Sequence, residues 1–159
     1  MSKEHIYQLQ VKWTGNNGTG TSDYKAYERS HLISAENKPD ILASSDTPFR
    51  GDASKYNPEE FLLASLSSCH MLWFLHFCAD NGVIVLDYVD NPIGTMIEIE
   101  KAGGKFTSVT LRPLVTVSEE FMIPILNELH EKAHKCCFIA NSVNFEVKCE
   151  ASETIVRKD

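Results

Sequence analysis

Tyr7, Leu9, Val11 and Trp13 alternate with polar Gln8, Gln10 and Lys12, the two-residue period of a half-buried strand ending at the turn residues Gly15-Asn16-Asn17-Gly18. A second strand is expected over about Tyr24 to Ser34. The stretch from Glu36 to Tyr56 is rich in Pro, Ser, Asp and Gly and has no clean period, so it reads as a structured loop feeding a helix. Its length marks it as a candidate for function. Asn57-Pro58-Glu59-Glu60 supplies a helix start: Asn as N-cap, Pro at the first helical position, and Glu at the third, where it can close a capping box. Gly82 is the matching stop.

From Phe61 to Cys78 this helix carries no charged side chain when its histidines are neutral, and those 18 residues reach the length of a membrane span. Ser65, Ser67, Ser68, His70 and His76 make the run too polar for that solvent, and acidic Glu59, Glu60 and Asp80 flank it. A helix apolar on nearly every side is expected to be buried all round. In so short a chain, such burial calls for cover from a second subunit. Strand patterns resume at Ile84, and Ala102-Gly103-Gly104-Lys105 signals a hairpin between Met96–Ile99 and Val109–Val117. A second helix is expected over about Glu119 to Cys137, starting late or bending at Pro124, with Ile125, Leu129 and Ala133 on one face. Phe145, Val147 and Cys149 alternate as a closing strand. The order lacks regular βαβ alternation, so the fold class is α+β, in one domain spanning residues 1–159.

Charge narrows the partners: 15 Lys and Arg against 22 Asp and Glu leave a net charge of -7, which repels a phosphate backbone and argues against nucleic acid. The first ten residues lack the apolar core of a secretory signal, so the expectation is a cytoplasmic protein with no membrane partner. Five irregularly spaced cysteines resemble neither a disulfide framework nor a paired zinc pattern.

Cys69 lies well inside the buried helix between Ser68 and His70, where small and polar neighbours leave room for a substrate; its bland alternative is a small apolar core residue. Cys78, nine positions on, lies about 13 Å away along a straight helix, beyond disulfide reach. Cys136 and Cys137 are adjacent, and a vicinal disulfide strains the backbone. Spacing alone does not choose a partner for Cys69 among Cys136, Cys137 and Cys149. Cys69-His70 with His134-x-x-Cys137 offers four zinc-type ligands, but neighbouring helical residues point about 100° apart and converge poorly on one ion. No metal is therefore expected, and His70 and His76 read as satisfied core histidines.

The run Asn57-Pro58-Glu59-Glu60-Phe61-Leu62-Leu63-Ala64-Ser65-Leu66-Ser67-Ser68-Cys69 resembles the helix start and peroxidatic cysteine of the OsmC/Ohr family, the osmotically inducible and organic hydroperoxide resistance proteins. Ala133-His134-Lys135-Cys136-Cys137-Phe138-Ile139-Ala140-Asn141-Ser142 resembles the region of its second cysteine, 137 − 69 = 68 positions later. The resemblance implies antiparallel sheets packed around a long central helix in an intertwined homodimer. It implies Cys69 as peroxidatic nucleophile, Cys137 as resolving thiol, and Glu59 as the carboxylate that holds an arginine. Tyr27-Glu28-Arg29-Ser30-His31 is similar to the arginine loop of the Ohr branch, whereas Phe49-Arg50-Gly51-Asp52 lies near the arginine of the OsmC branch, so Arg29 is favoured and Arg50 competes. The chain departs from the pattern at His70 and Phe138, where many family peroxidases have an aromatic residue and a proline.

The implied function is an antioxidant peroxidase that reduces organic hydroperoxides, and hydrogen peroxide as a second substrate, in an oxidative stress response. It needs no bound cofactor, only an external dithiol of lipoyl type. Physical chemistry explains the arginine, since a free cysteine ionises near pH 8.5 and burial raises that further. Cys69 is too far from the helix N-terminus to gain from the macrodipole. A guanidinium keeps its charge and can also donate to a peroxide oxygen. Ten helical residues span about 15 Å, so Glu59 and Cys69 share an arginine only if the helix bends or a second subunit contributes. Trp73, Phe74 and Phe138 are candidate apolar contacts for an organic peroxide, with core packing preferred for Trp73 and Phe74. The alternative to an enzyme is a noncatalytic redox sensor or thiol-binding module of the same fold.

Overall fold

The computed structural model describes residues 3–100, 102–152 and 155–156. They divide into two compact units, Met1–Phe61 and Leu62–Asp159.

The first unit holds an antiparallel three-stranded sheet of β1 (Gln10–Trp13), β2 (His31–Ser34) and β3 (Ile41–Ala43), in that spatial order. The alternation before Gly15 does form a strand, but a shorter one, and all four of its residues are exposed rather than half-buried. The second strand is also shorter than expected. Tyr24 to Ser30 leave the sheet because Arg29 gathers that segment: its guanidinium donates to the carbonyls of Tyr24 (2.7 Å) and Tyr27 and lies over both rings. The loop after β3 contains one turn of 3-10 helix, Thr47–Phe49, capped by the Asp46 carboxylate.

The long helix α1 runs unbroken over Pro58–Asp80. Its start is the expected capping box, with Glu60 N–H donating to Asn57 Oδ1 (2.8 Å) and Asn57 N–H to Glu60 Oε2 (2.9 Å). Its stop is Gly82 at φ +71°, a left-handed position that glycine takes without steric cost. By length and composition α1 could cross a membrane. Its fully buried residues, however, are only Leu66, His70, Phe74 and Cys78, one stripe at four-residue steps. Burial all round is thus not what one chain provides: Leu72, for one, is 63% exposed.

The second unit contains two sheets. One orders β4 (Val85–Asp90), β7 (Pro113–Val117) and β9 (Ile155–Val156); the other orders β5 (Ile93–Ile99), β6 (Gly103–Leu111) and β8 (Glu146–Cys149). The β5–β6 and β4–β7 pairs are antiparallel, but β8 joins β6 and β9 joins β7 in parallel, so the sheets are mixed. Pro124 has the expected effect: a 3-10 stretch over Glu120–Ile125 precedes α2 (Leu126–Cys136).

Two apolar clusters divide the length of α1. Leu66 packs with Val109 and Leu111 of β6, flanked by Leu62, Leu63 and Phe106. Phe74 and Cys78 pack with Val115 and Val117 of β7 and with Leu126, Leu129 and Ala133 of α2. Gly94 permits the first contact, because a Cβ there would stand 2.7 Å from Phe106 Cε1 and 3.2 Å from Leu63 Cδ2. The Asp90 carboxylate fixes the helix laterally by accepting from Ser67 Oγ (2.5 Å) and the Arg112 N–H (2.6 Å). His70 sits on the buried stripe between the two clusters.

Candidate active site

Cys69 is half-buried on α1, and Cys137 is 1% exposed at the C-cap of α2. Although 68 positions apart, the two thiols are near enough for Cys69 to help raise the pKa of Cys137. The segment after α2 is stitched into a turn that fixes Cys137. Cys137 Sγ accepts from the Ala140 N–H (3.4 Å), Asn141 Nδ2 donates to the Lys135 carbonyl (3.1 Å), and Ser142 Oγ to that of Phe138 (2.7 Å). Burial, aided by Cys69 and opposed by the Ala140 N–H, pushes the Cys137 thiol up to about 11. One of the two sulfurs is therefore held firmly as a thiol at neutral pH.

The other cysteines are disposed differently. Cys78 is buried in the core, with its thiol pushed up to about 12 by burial alone. Cys136 is half-buried, one position before the turn that holds Cys137. Cys149 on β8 meets two histidines instead of Cys69.

An apolar wall adjoins the pair. Trp73 is one helical turn after Cys69 on the same face, and its ring meets Phe138 edge-on with centroids 5.6 Å apart. Phe138 is 65% exposed, whereas Phe74 is fully buried and stacked on His130 at 3.9 Å, a core role as expected.

The candidate activating groups lie in the first unit. Arg29 is satisfied by its own loop, as described. Arg50 is exposed and adopts φ +64°, a left-handed conformation that costs a residue with a Cβ roughly 1–2 kcal/mol. It is held there by hydrogen bonds from its own N–H to the Thr47 carbonyl and from the Gly51 N–H to that of Asp46, both 3.0 Å. Glu59 is half-buried in the first turn of α1, and among the described residues it forms no ion pair with either arginine.

A second cluster, absent from the reading of the sequence, surrounds His70. His70 Nε2 and His130 Nδ1 are 3.0 Å apart, and Cys149 Sγ lies 3.5 Å from the first and 3.9 Å from the second. Burial, with smaller help from His134, lowers His70 to about 4, and burial plus His70 lowers His130 to about 3. Both rings are therefore neutral at pH 7, one N–H donating to the bare nitrogen of the other. His70 Nδ1 and His134 Nδ1 are buried without a partner among the described residues. His70 was expected to be a satisfied core histidine; it is in the core, but only half satisfied. The available signal for His130 was its place on the buried stripe of α2, Leu126-His130-Ala133, where a polar residue among apolar ones needs a partner.

The sequence profile described as OsmC-like protein matches residues 51–152. This chain belongs to the OsmC-like family. The Vibrio cholerae OsmC-like protein of unknown function is 33% identical over 94% of this chain and 100% of its own, with a TM-score of 0.84. Two more distant structures share the OsmC-like fold. An organic hydroperoxide resistance protein from Legionella pneumophila is 18% identical, with a TM-score of 0.69 over 94% of this chain and 100% of its own. One from Elizabethkingia anophelis is 19% identical, with a TM-score of 0.68 over 94% and 99%. No curated protein matches the chain.

Proposed function

We propose that this OsmC-like protein is a thiol-dependent peroxidase that reduces organic hydroperoxides, and hydrogen peroxide less well. The observation that carries the reading is the proximity of Cys69 to Cys137, next to residues Trp73 and Phe138, whose rings meet edge-on. In the first step the Cys69 thiolate attacks the distal peroxide oxygen. The O–O bond breaks, the alkoxide takes a proton and leaves as an alcohol, and Cys69 becomes a sulfenic acid. In the second, Cys137 condenses with it to a disulfide, releasing water. An external dithiol, which we propose to be of lipoyl type, then reduces the disulfide and is itself oxidised.

Accessibility and acidity support this division of roles. The half-buried Cys69 can meet a substrate, whereas Cys137 is enclosed and rests as a thiol, so it must give up its proton as it attacks the sulfenic sulfur. Ionisation of Cys69 calls for a cation, proposed as Arg29 released from its tyrosine cage and oriented by Glu59, with Arg50 the competitor. The left-handed backbone at Arg50 gives that position its own claim, because strain of this kind concentrates at functional sites. The apolar surface that α1 leaves uncovered supports a homodimer, and five free cysteines suit a reducing cytoplasm.

The test is turnover of cumene hydroperoxide with a dithiol. Cys69→Ser should abolish it, and Cys137→Ser should stop it after one equivalent. Stoichiometric oxidation of the wild-type protein without turnover would instead establish the redox-sensor reading. Arg29→Ala and Arg50→Ala, made separately, should remove rapid peroxide reactivity in one case only; equal, slight effects would discard the activation scheme.

A further inference from the structure

We propose that His70, His130 and Cys149 form a mononuclear zinc site, separate from the Cys69–Cys137 pair. The three donors come from α1, α2 and β8 and are 60 and 19 positions apart in sequence, yet His70 Nε2, His130 Nδ1 and Cys149 Sγ all lie within 4.8 Å of one another. Two imidazoles and a thiolate are the donor set of a borderline-soft ion with three protein ligands.

The separations fit the ion. Zinc bonds of about 2.05 Å to nitrogen and 2.3 Å to sulfur at tetrahedral angles place two nitrogens about 3.3 Å apart and each about 3.6 Å from the sulfur. The structure has 3.0 Å between the nitrogens and 3.5 and 3.9 Å to the sulfur. The imidazoles meet head-on along an N–H···N bond, their planes 5° apart and their centroids 5.3 Å apart, so an ion requires that contact to open by about 0.3 Å and the rings to swing until both lone pairs aim at one point. Phe74 holds the His130 ring from behind, stacked at 3.9 Å, so the ligand is oriented by packing before any ion arrives. His130 and Cys149 also line a cavity of about 230 Å³ with Asn127, Glu131, His134 and Lys135, and the fourth coordination position borders it. That position suits water or a small anion.

Binding is balanced by one proton. Zinc takes the Cys149 sulfur as thiolate, and the thiol proton passes to the buffer. The imidazoles change only tautomer, each keeping one hydrogen, on His70 Nδ1 and His130 Nε2.

A dithiol such as Cys69–Cys137 can itself capture zinc, so the test removes it. Reduced protein stripped of metal is titrated with Co²⁺ as a spectroscopic substitute and then with Zn²⁺ against a chromophoric chelator. In both the wild type and a Cys69→Ser/Cys137→Ser chain, we expect a site taking one ion per chain, a thiolate-to-cobalt charge-transfer band, and release of one proton per ion. Cys149→Ser in the double-serine background should remove the band, and it or His130→Gln there should weaken Zn²⁺ at least tenfold. X-ray absorption of the zinc-loaded double-serine chain gives a readout that no site-ligand variant can confound, with one sulfur and at least two imidazole nitrogens expected. Loss of binding in the double-serine chain, a shell with no sulfur or with two, or full affinity in Cys149→Ser would each overturn the site.

Discussion

Oxidation of the Cys69–Cys137 pair should stabilise the fold by an amount set by the length of chain it closes. The two thiols are near one another in the fold, so a bond between them should act chiefly by restricting the unfolded state. For a separation of 68 positions, the loop-closure relation gives an entropy loss near 15 cal/mol/K, or about 4.4 kcal/mol at 25 °C. At a urea dependence of about 2 kcal/mol/M, the unfolding midpoint should rise by roughly 2 M. The same linkage makes the disulfide about 95 mV harder to reduce in the folded chain than in the unfolded one. The assay compares urea unfolding, followed by tryptophan fluorescence, of dithiol-treated protein and of protein given one equivalent of peroxide. Peptide mapping confirms the 69–137 link, and Cys137→Ser is the control that should show no shift. An unchanged or lowered midpoint would mean that forming the bond strains the fold by as much as the loop contributes, refuting the native proximity from which the reasoning starts. A link from Cys69 to Cys149 would refute the assignment itself.

Three further outcomes follow from geometry. Cys137 is raised from an ordinary 9.0 to about 11, so the fold prefers its neutral form. Its contribution is intact below pH 9 and is lost as pH climbs from 9 to 11, by up to about 1.4 kcal/mol per pH unit; urea unfolding of wild type and Cys137→Ala should diverge in slope over that window and run parallel below it. Gly94→Ala places a methyl 2.7 Å from the Phe106 ring and 3.2 Å from Leu63, and should lower stability by about 1–3 kcal/mol; a neutral result would show that α1 has room to move off β5. Asn57→Ala deletes half of the capping box and should cost about 1 kcal/mol in thermal or urea unfolding, with Asn57→Asp recovering most of it.

Where local chemistry decides the structure, the sequence was readable. Asn57 and Glu60 cap α1, Gly82 ends it and Pro124 delays α2, because each acts on backbone within a few residues. Spacing left the partner of Cys69 open among Cys136, Cys137 and Cys149, and only family resemblance pointed to Cys137. Patterns with more than one physical cause were harder. The alternation in β1 marks a strand but not which faces are covered, and both are exposed. An almost uniformly apolar α1 gives no clue that its buried stripe is Leu66, His70, Phe74 and Cys78. The cage around Arg29 takes from β2 residues whose composition alone favours a strand. The parallel docking of β8 on β6 and the meeting of His70, His130 and Cys149 depend on where three distant elements come to rest, which no local period encodes.

Cys69 and His70 are consecutive on one rigid rod, and each faces a different neighbour. An axial twist that carried the Cys69 sulfur toward Cys137 would swing the imidazole through the same angle, against His130 and Cys149. To whatever extent thiol oxidation on one flank turns α1, it turns the imidazole on the other, with the helix backbone as the shaft between them.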